Sequence, residues 1–209
     1  EYRYISAEDI ADEVTFDISG GKKKGLEVEC GAFLSNGTGI VLGGNLNGVK
    51  VFDVIDRTLV SHLRVGEEVD GLAVSPDGTV LAHAAPRGIV VRSMPEGTAR
   101  YALYHGQQEG VVNSIDFTAD GRTMASAGNH GLVVISSVDH GQVIKEGRIE
   151  WPSSIKSVRF SPGDSLVAAG FSGGVLAVFR TSDMSLVLHH ELFYIEAVEW
   201  TADGRYLLA

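Results

Sequence analysis

Seven histidines, one cysteine and one lysine run are the residues of this 209-residue chain whose spacing could carry chemistry. His62, His83, His105, His130, His140, His189 and His190 show no Cys–His spacing and no pair four apart on a helix, so no metal site is expected. His189 and His190 are adjacent in a strand-like pattern, where neighbouring side chains point to opposite faces. Cys30 falls in another strand-like pattern and is expected to be a small buried thiol. The run Gly20-Gly21-Lys22-Lys23-Lys24-Gly25 has the lysines of a phosphate loop without the Gly-x-x-x-x-Gly-Lys-Ser/Thr order or a following helix. A solvated connecting loop is the expectation there, with an anionic partner as the alternative. No Gly-x-Ser-x-Gly elbow is present, and no catalytic residue, metal ligand or cofactor is expected.

Composition narrows the classes further. Hydrophobic residues at 44% and charged residues at 21% are ordinary for a globular chain and exclude a disordered one. The length corresponds to one domain or one and a half. Seventeen Lys and Arg against 27 Asp and Glu give a net charge of −10, which repels phosphate and makes nucleic acid a minor hypothesis. One cysteine cannot close an intramolecular disulfide, which favours a reducing, cytoplasmic setting. No apolar run approaches the ~18 residues of a membrane span, and Glu1-Tyr2-Arg3-Tyr4 is no signal-peptide start, so a soluble chain is expected.

The elements that would position any site come from a repeat. Gly appears 26 times, and turns ending at Gly37, Gly78, Gly121, Asp164 and Gly204 recur at intervals of 41, 43, 43 and 40 residues. Four residues before each turn end stands a large apolar side chain: Phe33, Val74, Phe117, Phe160 or Trp200. Ten or eleven residues after it a glycine (Gly48, Gly88, Gly131, Gly174) opens a short Val/Ile-rich run, the mark of a strand and not a helix. Each period reads as four antiparallel strands; in the third they are expected near Val111–Thr118, Arg122–Ala127, Leu132–Ser136 and Val143–Ile149. A sheet this small cannot bury both faces alone, so copies must stack, and radial stacking gives an all-β propeller.

The stretches Val74-Ser75-Pro76-Asp77-Gly78, Phe160-Ser161-Pro162, Trp200-Thr201-Ala202-Asp203-Gly204 and Gly48-Val49-Lys50-Val51-Phe52-Asp53 resemble the WD-repeat family from about residue 27 to 209. The family's Trp-Asp pair survives only as Phe52-Asp53, and its Gly-His pair is absent, so a buried Asp-His-Ser-Trp network is not expected. Apolar packing between sheets must then hold the blades. Blades are expected at about 27–66, 67–109, 110–152 and 153–193, with a partial blade at 194–209. Residues 1–26, with candidate strands Tyr2–Ile5 and Glu13–Ile18, are assigned to a closing or preceding blade or to a linker. Two readings follow: five blades closed by joining the chain ends, or part of a larger propeller. The second is preferred, because a chain stopping mid-blade leaves an open edge.

Four residues before each apolar anchor lie Glu29, Asp70, Asn113, Lys156 and Glu196, all polar on what alternation makes the anchor's own face. The resemblance implies that this first strand is innermost and starts at the propeller's top. Arg87, His130, Trp151, Phe171 and Tyr194 are read into loops of that surface, where Trp, Tyr and Arg favour partner binding; for Trp151 and Tyr194, packing between blades is the alternative. One residue before the anchors, Asp116, Arg159 and Glu199 place acid, base and acid in successive blades, and Arg159 is expected to bridge toward Asp116, Glu199 or both. The expected function is a non-catalytic scaffold that binds a peptide or subunit of a larger assembly through the top face or an edge. The alternative is the propeller domain of a hydrolase or other enzyme whose catalytic part lies elsewhere.

Overall fold

A computed structural model describes residues 27–35, 37–46, 48–104, 111–151 and 153–209, and at residue 130 the backbone alone. The two N-terminal candidate strands and the Lys22–Lys24 loop lie outside the described residues.

Short runs of β-branched residues between turn glycines cannot sustain helix, and the described chain folds as strands with one 3-10 turn at Asn129–Gly131. Four consecutive antiparallel sheets result. The first contains β1 (Val28–Phe33), β2 (Gly39–Gly44), β3 (Val49–Asp53) and β4 (Thr58–Leu63). The second contains β5 (Leu72–Val74), β6 (Val80–Ala85), β7 (Gly88–Ser93) and β8 (Ala99–Tyr104). The third contains β9 (Val112–Phe117), β10 (Thr123–Gly128), β11 (Leu132–Ser137) and β12 (Gln142–Arg148), each strand within about a residue of its expected position. The fourth contains β13 (Ile155–Phe160), β14 (Leu166–Phe171), β15 (Val175–Arg180) and β16 (Leu186–Glu191), and a two-stranded sheet of β17 (Glu199–Trp200) and β18 (Leu207–Leu208) follows. The first strand of each sheet lies against the first strand of the next, so the sheets fan out as propeller blades from an inner wall made by β1, β5, β9, β13 and β17.

Each junction is a thin apolar core built from both neighbours. Val41, Val49 and Val51 of blade one meet Val69, Leu72 and Leu81 of blade two. Ala82, Ile89 and Val91 meet Val112, Ile115 and Phe117 of blade three. Ala125, Val133 and Ile135 meet Val158, Phe160 and Phe171 of blade four. The recurring large residue thus packs back onto the preceding blade: Phe117 and Phe160 are buried. Phe33, with no described sheet before it, is 68% exposed.

Two recurring turns receive a physical reason. In the hairpin after each first strand, Asp77, Asp120 and Asp203 accept a hydroxyl from Ser75, Thr118 and Thr201 and a backbone N–H from Thr79, Arg122 and Arg205. These bonds hold all three carboxyls below the usual range. Blade four inverts the order to Gly163-Asp164; Asp164 adopts φ 57 itself, and its carboxylate accepts the Ala119 N–H of blade three at 3.0 Å. The glycine opening each third strand makes way for the fourth strand. A Cβ at Gly131 (φ 64) would stand 2.1 Å from the Ile149 carbonyl oxygen, and one at Gly48 (φ 127) 2.1 Å from that of Leu63. Gly131→Ala is expected to cost at least about 1–2 kcal/mol from the left-handed conformation alone, seen as a lower urea midpoint with an unchanged m value.

Candidate functional site

The five polar residues read from the repeat converge. Glu29, Asp70, Asn113, Lys156 and Glu196, one from each successive blade, line a cavity of about 270 Å³ on the inner wall. A second cavity of about 240 Å³ shares them and adds Ser114, Ser157 and Arg159.

The way they reach it differs from the expected alternation. In β1 the register passes from Val28 opposite Gly44 to Cys30 opposite Gly43, which leaves Glu29 as the extra residue of a bulge. Asn113 is likewise skipped between Val112 and Ser114, and Lys156 between Ile155 and Ser157. A bulge re-aims one side chain at the cost of one ladder position. Repeated in three blades, it takes the polar residue off the face it would share with the anchor and sets it on the inner wall. Asp70 and Glu196 come from the segments just before β5 and β17.

Two members are held in place. Asn113 donates Nδ2–H to the Ile155 carbonyl of the next blade at 2.8 Å, and the Tyr194 hydroxyl donates to Glu196 Oε1. Beside them, burial pushes the Cys30 thiol up to about 12, and the carboxylates of Asp70 and Glu29 add to the rise. At neutral pH this thiol is no nucleophile; its Sγ lies 3.1 Å from the Val69 carbonyl oxygen as a donor. Among the described residues, no group of three or more His, Cys, Asp or Glu is placed to hold a metal ion.

The remaining candidates divide. Tyr194 is exposed and joins the rim through Glu196, and Arg87 is exposed in the turn between β6 and β7. Trp151 is half-buried, packed against the core between blades three and four and edge-on to His189 at 6.1 Å. Phe171 requires a correction: it is not a loop residue but the last residue of β14, 0% exposed, with no surface to offer a partner. The apolar core between the blades outcompetes the turn for its ring. The His130 side chain lies outside the described residues.

Two serine contacts were not foreseen. Ser114 Oγ accepts the Val158 N–H and Ser157 Oγ accepts the Val198 N–H, both at 3.1 Å, tying each inner strand to the next blade. Cys30 occupies the same repeat position, three residues before the anchor, but Gly71 and Ala197 fill it in the other two copies, so the sequence column carries no serine pattern. Blade cohesion is therefore polar as well as apolar. Arg159 pairs with Glu199 (Nε to Oε2, 3.3 Å), whereas Asp116 accepts the Phe160 N–H at 2.8 Å. With the two side chains 35% and 65% exposed, the ion pair is worth ~0–1 kcal/mol.

Residues 99–136 match the family model described as WD domain, G-beta repeat. That stretch is similar to a WD repeat. The matched stretch runs from β8 almost to the end of β11, so one WD sequence repeat joins the outer strand of a blade to three strands of the next. Autophagy-related protein 18 of Dictyostelium discoideum is 29% identical over 121 residues, 56% of this chain and 32% of its own length. The U3 small nucleolar RNA-associated protein 15 homolog of Gallus gallus is 26% identical over 152 residues, 72% of this chain and 29% of its own. The chain thus spans about a third of the length of these curated relatives.

Proposed function

We propose that this chain is a non-catalytic interaction scaffold, part of a larger propeller, that binds a peptide or a subunit of its assembly at the inner-wall cavity. WD-repeat proteins act generally as protein-interaction scaffolds, and this supports the class. The observation that carries the site is the bulge repeated at one register in three blades. It costs each inner strand a ladder position, and in return it directs Glu29, Asn113 and Lys156 into one cavity with Asp70 and Glu196. Bulges cluster where a side chain must be re-aimed, next to sites that contact something. The two relatives' names speak of autophagy and of a nucleolar RNA, so the shared feature is the repeat and not one partner. Three carboxylates in a ring of five, on a chain of net charge −10, disfavour a nucleic-acid partner and favour protein. Among the described residues, no helix is long and apolar enough to cross a membrane.

An edge offers a second surface. All six residues of β16 are exposed, Leu186, Val187 and Leu188 among them, on the outer strand of blade four.

The test immobilises the chain and a variant carrying Glu29→Gln, Asp70→Asn and Glu196→Gln, with far-UV circular dichroism showing both folded. Proteins captured from the native cell extract by the wild type are expected to fall by at least about tenfold with the variant, a loss of ~1.4 kcal/mol. Equal capture by both overturns the cavity as the site.

A further inference from the structure

The inner-wall cavity has two unlike sides. Glu29 and Asp70, contributed by blades one and two, line it as exposed carboxylates with no hydrogen bond or ion pair among the described residues. Asn113 of blade three extends this side, because its Nδ2–H is given to the Ile155 carbonyl and Oδ1 is left to accept. Among the described residues that line the cavity, none from these three blades is a Lys, Arg or His.

The blade-four side donates. Lys156 lines both cavities, and its ammonium has no partner among the described residues. Next to it in β13, Ser157 is 4% exposed and lines the second cavity; its Oγ accepts the Val198 N–H, and its own proton has no acceptor among the described residues. A buried hydroxyl proton left over in this way is satisfied by what fills the cavity. The acids of blade five have cations at hand: Glu199 pairs with Arg159 at 3.3 Å, and Glu196 follows Lys156 in the ring. Uncompensated negative charge along the lining is therefore concentrated at blades one and two.

We propose that the cavity takes one lysine or arginine residue of a peptide partner, with its cation at Glu29 and Asp70 and its main-chain carbonyl at Lys156 and Ser157. This rests on the reading of the cavity as the peptide site. The two overlapping spaces, about 240 and 270 Å³, each hold the volume of roughly eight or nine waters. That accommodates one side chain with its adjoining peptide group and excludes a folded element. A cation entering at blades one and two meets two unpaired carboxylates, whereas an acidic side chain or a phosphate meets the same pair as repulsion. Lys156, standing at the other side, turns the cation away from itself and offers its own protons to the carbonyl.

A library of short random peptides, selected on the immobilised folded chain, supplies the probes, and fluorescence anisotropy of the retained peptides measures Kd. The retained peptides are expected to share a lysine or arginine, and its replacement by leucine to weaken binding by at least about tenfold. Glu29→Gln with Asp70→Asn is expected to cause a loss of the same order. Glu146→Gln with Glu199→Gln removes two carboxylates that do not line the cavity and is expected to change Kd by less than about twofold, with far-UV circular dichroism showing every variant folded. Lys156→Met is expected to weaken binding by about threefold or more through the lost donor, whereas plain charge attraction gives the opposite sign. Retained peptides without a common cation, equal losses from the two double variants, or tighter binding to Lys156→Met would each overturn the lysine or arginine assignment and leave a peptide site in place. No peptide retained by the wild type, or the same peptides held equally by the Glu29 and Asp70 variant, overturns the reading of the cavity as the peptide site as well.

Discussion

Phe171→Ala is expected to destabilise the chain by about 3–5 kcal/mol, the largest effect of any single substitution considered for this protein. The side chain is 0% exposed and closes the core between blades three and four, with Val133 and Ile135 on one side and Ile155, Val158 and Val175 on the other. Removing the ring forfeits its transfer free energy and leaves a cavity that rigid, hydrogen-bonded sheets collapse into only partly. Nearby backbone adds to that rigidity: a Cβ on Gly131 would already approach the Phe171 ring to 3.5 Å. Urea unfolding followed by near-UV circular dichroism measures the loss. A shift below about 1 kcal/mol would mean that the ring lies at the surface, as a partner-binding residue in a loop would. Phe171→Leu, which keeps much of the apolar volume, is expected to recover most of the loss.

Asp116→Asn is expected to stabilise the chain at pH 7.5 by about 3 kcal/mol and to leave it nearly unchanged at pH 4. The sign follows from linkage. Burial raises the Asp116 carboxyl from 3.8 to about 6, so the folded state holds the proton more tightly than the unfolded state does. Its contribution is full below the unfolded value and is lost as pH rises through about 6. Asparagine keeps an oxygen to accept the Phe160 N–H and carries no charge to desolvate. His83 acts in the opposite direction. Burial lowers its pKa, with the Arg92 charge adding to the fall; Arg92 donates Nε–H to His83 Nε2 at 3.0 Å and Nδ1–H reaches the Ala84 carbonyl, so the ring is held neutral. Its contribution is present above the unfolded histidine value and fades as pH drops through the lowered one. The difference between variant and wild type at each pH therefore isolates Asp116. Unfolding midpoints measured from pH 4 to 8 test it: parallel curves, or a variant weaker at pH 7.5, would show that the ionised carboxylate is not strained by its site.

Strand alternation, turn residues and the interval near 42 residues are local properties, and each can be read where it stands in the chain. A strand's period of two is set by backbone pleating, and the left-handed turn positions call for Gly wherever they occur. By itself the sequence therefore determined the four-stranded sheets, their order, the recurring apolar anchors and the five recurring polar positions, while their meeting at one cavity came from the packed blades. Other features were beyond its reach because they depend on residues some 40 positions apart or on a single skipped pairing. Nothing in Val112-Asn113-Ser114 marks Asn113 as the residue left out of the ladder; the bulge exists because β9 must meet both β10 and the inner strand of the next blade. Ser114 and Ser157 look like ordinary strand serines until the amides of Val158 and Val198 arrive from the neighbouring blades. Phe171 precedes a Ser-Gly-Gly turn and reads as loop, but burial against blade three draws it into β14. The alternation of acid, base and acid at Asp116, Arg159 and Glu199 was legible, whereas the partition among them was not. Solvent access differs between the two carboxylates, and only the packed junction makes one of them a half-buried acceptor and the other an exposed partner.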